Sequence, residues 1–570
     1  MSQDAQAEQN EEYQPWYRDA ANVHPFRMVR RLTAKSPDAP ILRSIAMFPW
    51  NENSLKTLWQ GTLNADDNLT QWKAMIAQFW DAVAVGADRS VYIYFASKRK
   101  APLTINLPPD NQQLLDADEM CVEWSLSHFA PFEPVVAFSR GSLLYLWNPI
   151  RLGMAGYLRG HGGAITSIAV HPNTPHLVCS TSRDLTTRIY DLSLPAEVPM
   201  EPKPQRPGKK KKPEKEKVPN PVWPPGKTPS LAGAAHGLRI PSTEAGGEGV
   251  GAGRCIVVLL GGRSGGHKAA VLGAAFHPVH PIIATCGMDR TVKIWPVRPK
   301  NRSEIQREDK PLFTSGHIHK ARVLSVSWLQ DDLLLTHSAP AIMRVAPEDP
   351  NNKATYLEPG ELIVWRWLGL NRFFPPGYED TLPLVLRGCS SDYQESSSFK
   401  LISIHRFPAT GTQYVVPKLS LFNSPFSDPL ALFVYPGATS LFIVNITNFS
   451  CKPRPPFPLD APKNNGSSEL ARAAEQLHLD GRQEPVAQTE TEAETEQVRA
   501  NLYNGRNEVT PPGLVSWEIS VRECEWDRSS ADSSGAKLIR CAMGAGGRIV
   551  VGVGEKGTFW VWRYDDDEQK

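Results

Sequence analysis

Two stretches of the chain state one pattern twice. The first runs His161-Gly162-Gly163, then Ile165 to His171, then Val178-Cys179-Ser180-Thr181-Ser182-Arg183-Asp184, and closes on Arg188-Ile189-Tyr190-Asp191. The second runs His267, then Val271 to His277, then Ile283-Ala284-Thr285-Cys286-Gly287-Met288-Asp289, and closes on Lys293-Ile294-Trp295. The His-to-Asp separation differs by a single residue between the copies, and the Asp-to-aromatic separation is the same in both. Self-similarity over this length, opening on Gly-His and closing on a Trp-Asp-like pair, marks a propeller blade. Runs such as Ile165 to Ala169 and Arg188 to Tyr190 have strand length and composition. Asp184 and Asp289 fall where a tight turn joins two strands. A buried His, hydroxyl, Asp and aromatic residue can satisfy one another across a blade, which removes the cost of burying them singly. One blade cannot cover both of its own faces, so the rest of the chain must supply neighbours.

Composition allows this. The 570 residues include 50 Pro and 41 Gly, yet hydrophobic content is 41% and there are 16 Trp, too apolar for an unfolded chain. Such punctuation suits short strands and long loops. The fold class is therefore all-β: a seven-bladed WD40 β-propeller with long disordered or partly helical loop insertions. Residues 1-22 read as a disordered tail. Residues 23-194 hold a closing strand at Phe26 to Leu32 and blades one to three, and 195-253 form a disordered basic insertion. Residues 254-447 hold blades four to six, and blade six takes the runs Lys400 to Phe407, Ala431 to Tyr435 and Ser440 to Ile446. Residues 448-512 form a partly helical, acidic insertion, and 513-565 hold blade seven. A strand from near the N-terminus that completes the last blade would remove an aggregation-prone edge.

Net charge is +2, from 62 basic and 60 acidic residues, so no global field draws in nucleic acid or membrane. The N-terminal residues are polar and no long apolar run occurs, so no membrane association is expected. The eight cysteines are scattered without a C-x-x-C pair and read as reduced core residues. Gly262-Arg263-Ser264-Gly265-Gly266 matches the nucleophile-elbow pattern, but another blade opening follows it where a helix is required. Gly552-Val553-Gly554-Glu555-Lys556-Gly557 matches a dinucleotide motif, but a strand follows, which makes it a hairpin turn. His161, Asp184 and Tyr190, with His267, Asp289 and Trp295, are expected to be structural blade residues. No catalytic, cofactor or metal site is expected, so the chain reads as a non-enzymatic binding platform. The run Lys209-Lys210-Lys211-Lys212 is a candidate nuclear localisation signal, with a solvated loop as the plainer reading.

Particular residues narrow the choice. Pro149-Ile150 followed by Arg159-Gly160-His161-Gly162-Gly163-Ala164-Ile165 and His171-Pro172 resembles the extra-sex-combs/EED family of Polycomb WD-repeat proteins. So do Cys286-Gly287-Met288-Asp289, Ile318-His319-Lys320-Ala321-Arg322-Val323 ending at Trp328, and the close Phe559-Trp560-Val561-Trp562-Arg563. Similarity covers most of 24-190, 255-330 and 535-565, and leaves out the insertions at 195-253, 345-360 and 448-512. The resemblance implies a scaffold subunit of Polycomb repressive complex 2 in the nucleus. It would bind a helical segment of an Enhancer-of-zeste-like SET-domain methyltransferase along the bottom face, alongside other Polycomb subunits, and support histone H3 lysine methylation and gene silencing. The histone H3 tail is a further candidate partner; direct sequence-specific nucleic-acid binding is not expected. The family reads trimethyl-lysine on its top face through an aromatic cage, in which ring faces attract the cation. The matching positions here are Leu42, Arg43 or Ser44 in blade one, Met120 before blade two, and Ser403-Ile404 ahead of Arg406-Phe407 in the run assigned to blade six. None is aromatic. Each desolvated cation–π contact is worth up to ~2 kcal/mol, so methyl-lysine reading is expected to be lost or altered. A WD-repeat adaptor of another nuclear assembly, such as a ubiquitin ligase or a ribosome-biogenesis complex, is the alternative reading.

Overall fold

The computed structural model describes residues 15–565, apart from 19–21, 35, 37–38, 62–65, 98–99, 107–119, 129–131, 197–248, 263–264, 298–304, 345–353, 376–388, 408–413, 425–426, 449–515 and 522–536. The described strands form a WD40 β-propeller of seven four-stranded antiparallel blades. The inner strands, in order, are Leu42–Met47, Val122–Leu126, Ile165–Val170, Val271–Phe276, Val323–Trp328, Lys418–Ser424 and Leu538–Gly544. We call the end of the ring where these strands begin the top and the end where they finish the bottom.

Apolar burial explains the ring. Both faces of each blade are apolar, and every seam between neighbours is filled by its own cluster. Phe48, Phe79 and Trp124 join blades one and two, while Tyr190, Leu146 and Val258 join two and three. Ile189, Val257 and Trp295 join three and four, and Trp328, Trp365 and Ile294 join four and five. Val364, Phe407 and Phe433 join five and six, and Leu432, Trp560 and Trp562 join six and seven. Leu42, Val85, Val551 and Phe559 close seven onto one. The last seam exists because Phe26–Leu32 pairs antiparallel with Phe559–Tyr564 as the outer strand of blade seven, so the two ends of the chain share one sheet.

Blades two and three are spliced together. The outer strand of blade three, Gly249–Leu259, pairs at Cys255 to Leu259 with Thr187–Pro195 of its own blade. At Gly249 to Gly251 it pairs with the outer strand of blade two, Gly153–Leu158. The crossing is so close that a Cβ at Gly156 would lie 2.7 Å from the Val250 carbonyl oxygen, which requires glycine there. This strand also begins inside 195-253, the span expected to be insertion throughout.

Four further expectations need correction. The tail 1-22 was expected to lack structure, but Trp16–Arg18 forms a 3-10 turn docked on blades six and seven. Trp16 is 7% exposed and meets Phe26 and Trp517 edge to face. Arg18 clamps Asp428 with two 3.0 Å hydrogen bonds, and the Asn445 side chain donates to the Tyr17 carbonyl at 2.8 Å. Long-range packing of two aromatics overrides the polar composition around them. Second, an α-helix, α1 (Asp66–Phe79), lies between the first two strands of blade one. Trp72, Met75, Ile76 and Phe79 recur at helical spacing and bury one face in the blade one–two seam. Third, Phe399–Arg406 is the outer strand of blade five, paired with Glu361–Trp367, and does not belong to blade six. Blade six instead opens on Lys418–Ser424. Fourth, its outer strand is Trp517–Ser520, which lies within the 513-565 span expected to be blade seven.

If Trp16 anchors the terminal segment, Trp16→Ala removes a buried aromatic and destabilises the propeller by about 3 kcal/mol. Arg18→Ala, which removes a largely exposed ion pair, costs at most about 1 kcal/mol. Chemical denaturation of the two variants measures the difference, and equal stability of Trp16→Ala and the parent would show that the docking is incidental.

Candidate partner-binding faces

At the top, the structure brings the repeated His, hydroxyl, Asp and aromatic residues together. In blade four the Trp295 indole N–H donates to Thr285 Oγ1 at 2.8 Å, and the Thr285 hydroxyl lies 2.8 Å from His267 Nε2. His267 Nδ1 lies 3.0 Å from Asp289, which also accepts the Lys268 N–H and the Thr291 hydroxyl. A neutral imidazole carrying its proton on Nδ1 satisfies every partner in this chain. Blade three repeats it. His161 lies 2.8 Å from Ser180 Oγ and 3.1 Å from Asp184, with the Tyr190 hydroxyl in the place of the indole. Blade five keeps His319, Thr336 and Trp365 but has a hairpin, Ala341–Arg344 and Thr355–Glu358, where the Asp-bearing turn would be. These groups are buried and committed to one another, and the arrangement holds the blades rather than presenting a reactive group.

The cage-equivalent positions divide. Ser44 lies in the inner strand of blade one, and Met120 precedes that of blade two. Both are buried, and both lie against Gly86, where a Cβ would sit 2.3 Å from Ser44 Oγ and 3.5 Å from Met120 Cγ. Arg43 is tied to Asp88 at 2.8 Å, and Leu42 is fully buried. Ser403 and Ile404 are elsewhere, because they sit on the outer strand of blade five, where Ile404 packs into the blade four–five seam. Their assignment to a top-face cage in blade six is overturned by that strand order. The start of the true inner strand of blade six holds Lys418 and Leu419, which are also non-aromatic. Phe399 and Phe407 pack into seams. Nearby, Tyr414 carries the Arg322 guanidinium over its ring at 5.8 Å. Lys209 to Lys212 and the acidic run near Glu490 lie outside the described residues.

The bottom end has a different character. A cleft of about 370 Å³ opens there between blades two and three. Leu126, Val135, Leu146, Met154 and Leu192 form its apolar wall. At its rim Glu133 accepts from Asn148 Nδ2 at 2.6 Å and pairs with Arg151 at 2.8 Å. His128 and His176 stack at 4.7 Å, and His176 accepts the Trp59 indole N–H at 3.0 Å. The adjoining turn exposes Ile150 and Leu152, and Leu152, 63% exposed, has a left-handed backbone with φ of 50°. An exposed leucine in a strained conformation is poorly explained by stability alone. None of these residues was singled out from the sequence, although Pro149-Ile150 belongs to the family-like run.

The WD domain, G-beta repeat model matches residues 154–191 and 254–296, the two clear copies. Polycomb group protein FIE1 of Zea mays is 22% identical over 299 residues, covering 50% of this chain and 50% of that protein. Polycomb group protein FIE2 of Zea mays is 22% identical over 225 residues, covering 39% and 43%. The chain carries WD repeats and is similar to the Polycomb FIE proteins. The chain spans about half the length of these curated relatives. Among solved structures, a chain of the humanized mutant Chaetomium thermophilum Polycomb Repressive Complex 2 bound to the inhibitor GSK126 matches with a TM-score of 0.50 at 16% identity. That match covers 94% of this chain and 97% of that one. At that identity the likeness is one of fold, and it extends across nearly the whole propeller.

The buried polar groups give the WD-repeat propeller an acid sensitivity. Burial holds His267 below its ordinary value, and lowers His171 and His277 to about 4 from 6.5. Burial would raise the Asp184 and Asp289 carboxyls, but their histidine partners, backbone N–H donors and threonine hydroxyls outweigh it and hold both well below the usual range. The unfolded chain therefore takes up more protons than the folded one below the histidine value of 6.5. The melting temperature should fall as pH drops from 6.5 to about 4, and fall further as the two carboxyls protonate below 3.8. His277→Gln should flatten the first part of the curve, and a melting temperature constant from 6.5 to 4 would contradict the assignment.

Proposed function

We propose that this chain is a non-catalytic scaffold subunit of a Polycomb repressive complex 2, acting in the nucleus to support histone H3 lysine methylation and gene silencing. The observation that carries the reading is the alignment with Polycomb FIE proteins over half the chain, joined to a complete propeller. The bottom cleft supplies the partner site. Its apolar wall and charged rim suit an amphipathic helix, which lays its apolar stripe in a groove and its polar residues at the edge. The partner is an Enhancer-of-zeste-like SET-domain methyltransferase, held by Leu126, Val135 and Met154 beneath and by Ile150 and Leu152 at the rim. Lys209 to Lys212 serve as the nuclear signal.

Purification of the tagged chain from nuclear extract should recover a SET-domain methyltransferase. The Leu152→Asp variant, which places a charge on the rim, should lose most of it while melting like the parent. Replacing Lys209 to Lys212 by alanine should move the chain to the cytoplasm and leave binding in vitro intact. Recovery of a cullin adaptor or pre-ribosomal proteins with no SET-domain protein would overturn the reading.

Methyl-lysine reading is absent on this proposal. The blade one and two positions hold the non-aromatic, buried Ser44 and Met120, blade six offers Lys418 and Leu419, and the Arg322 guanidinium lies 5.8 Å from the Tyr414 ring centroid. Titration of a trimethyl-lysine histone H3 peptide should give the same weak signal as its unmethylated form. A clear preference for the methylated peptide, abolished by Tyr414→Ala, would show that a cage has been rebuilt around that ring.

A further inference from the structure

Seven inner strands line the axial channel of the ring, and the sole acidic residue on them is Glu123, in Val122–Leu126 of blade two. Every other residue of that strand is buried, whereas Glu123 is partly exposed. Blade one covers the strand on one face, blade three covers it on the other, and Pro134–Arg140 pairs along one edge. The remaining edge is the channel. Water reaches the Glu123 carboxyl from there.

Strand alternation sets its surroundings. Val122 and Trp124 pack toward blade one, where the Trp124 indole N–H donates to the Ala46 carbonyl at 3.0 Å. Cys121 Sγ donates to the Thr166 carbonyl at 3.2 Å and Ser125 Oγ to the Pro175 carbonyl at 2.6 Å, so the odd-numbered positions turn to blade three. Glu123 stands between them and opposite Ala137, in a seam that is otherwise apolar, with Ile168 and Val258. The Trp124 backbone N–H is the one hydrogen-bond donor that its carboxyl meets among the described residues.

The elements packed against this strand bring few charges. Ala82–Ala87 and Ile165–Val170 carry none. Arg43, on the inner strand of blade one, is tied to Asp88 at 2.8 Å, and Arg140 stands at the top end of its strand opposite Leu143. Among the described residues neither of them, and no other cation, pairs with Glu123. Burial accordingly pushes its carboxyl up to about 7 from 4.5. The folded value lies above the unfolded one, so stability is lost as pH rises from 4.5 through about 7. The fold gains nothing from this charge, and a perturbed carboxyl open to a channel is characteristic of a binding group.

We propose that the channel takes an arginine side chain from a peptide crossing the top face, its guanidinium paired with the Glu123 carboxylate. A guanidinium is planar, weakly hydrated and charged even when desolvated, and its paired N–H groups match both carboxylate oxygens. An ammonium is more strongly hydrated and gives up its proton more readily on burial, which suits an apolar seam less well. Glu123 lies one residue inside the top end of its strand, about 3 Å along it, within reach of a long side chain entering from above. The channel is apart from the bottom cleft and the test needs no methyltransferase, so it stands or falls separately from the Polycomb reading.

The full chain is titrated calorimetrically with a blocked Ala-Ala-Arg-Ala-Ala peptide, with the same peptide carrying citrulline as the neutral isostere, and with its lysine form. Above pH 7 the arginine peptide should bind at least about tenfold more tightly than the citrulline one, the difference expected for one charged hydrogen bond. That preference should shrink as pH falls below about 7 and the carboxyl takes up its proton. Glu123→Gln should abolish both the preference and its pH dependence, and should melt no lower than the parent above pH 7, since it removes an uncompensated charge. Where that variant does not fold, the pH dependence of the parent chain decides. Equal affinity for the arginine and citrulline peptides, no binding of either, a preference that is constant across pH 7 or survives Glu123→Gln, or a lysine peptide that binds as tightly as the arginine one would each overturn the proposal.

Discussion

The fold depends on one antiparallel pairing between distant parts of the chain. Phe26–Leu32 closes on Phe559–Tyr564, and only then does blade seven have a fourth strand and a finished face to set against blade one. Every other seam is formed between blades adjacent in sequence. Its partners are therefore local, while the closing seam joins the most distant ones at the greatest loop-closure cost. The 3-10 turn at Trp16 extends the same closure outward, carrying the chain across the blade six–seven seam before the strand begins. Ring closure explains why a segment that reads as a polar tail is held in place.

What could be read in advance follows from how local each signal is. His267, Thr285, Asp289 and Trp295 form one blade's own network, so their spacing is legible without knowing any neighbour. Blade three is legible for the same reason. Blade six has no such network, and its strands had to be inferred from apolar runs alone. Phe399–Arg406 has a plausible strand pattern but gives no sign of which sheet it joins. It pairs backward, with Glu361–Trp367, and that one-strand slip displaced the cage positions Ser403 and Ile404 from the top face to a packed seam. The helix Asp66–Phe79 was readable from Trp72, Met75, Ile76 and Phe79, but the expected helical content was assigned to the 448-512 insertion instead. The bottom cleft was not readable, because Leu126, Glu133, Met154 and Leu192 come from different strands and meet only after two blades have formed.

The two ends of the ring are built from different connections. At the top, the turns after the second strands carry Asp184 and Asp289 and are consumed by internal hydrogen bonds. At the bottom, the connection after the third strand is free to lengthen, and the stretches 197–248 and 449–515 both leave from there, as does the helix-bearing stretch of blade one. Insertions of this length cost little where they leave an already formed hairpin. Exposed Leu69, Ile150, Leu152, Val279 and Leu368 also lie at this end.

The strand Gly249–Leu259 bears on how that surface can respond. It ties blades two and three into one sheet, and the segment Gln306–Glu308, from the connection between the third and outer strands of blade four, adds to its far end in parallel. The walls of the bottom cleft are thus laced together by backbone hydrogen bonds through nine strands. Elsewhere in the ring neighbouring blades meet mainly through side chains, with isolated backbone hydrogen bonds such as Leu538 N–H to the Ala438 carbonyl between blades six and seven, and side-chain contacts can slide. Here they cannot, so a ligand entering the cleft meets a receptor with little conformational freedom left to lose, and complementarity has to be supplied by the incoming segment. A flexible helix folding against a rigid seat puts the ordering cost, and with it the choice of partner, on the helix.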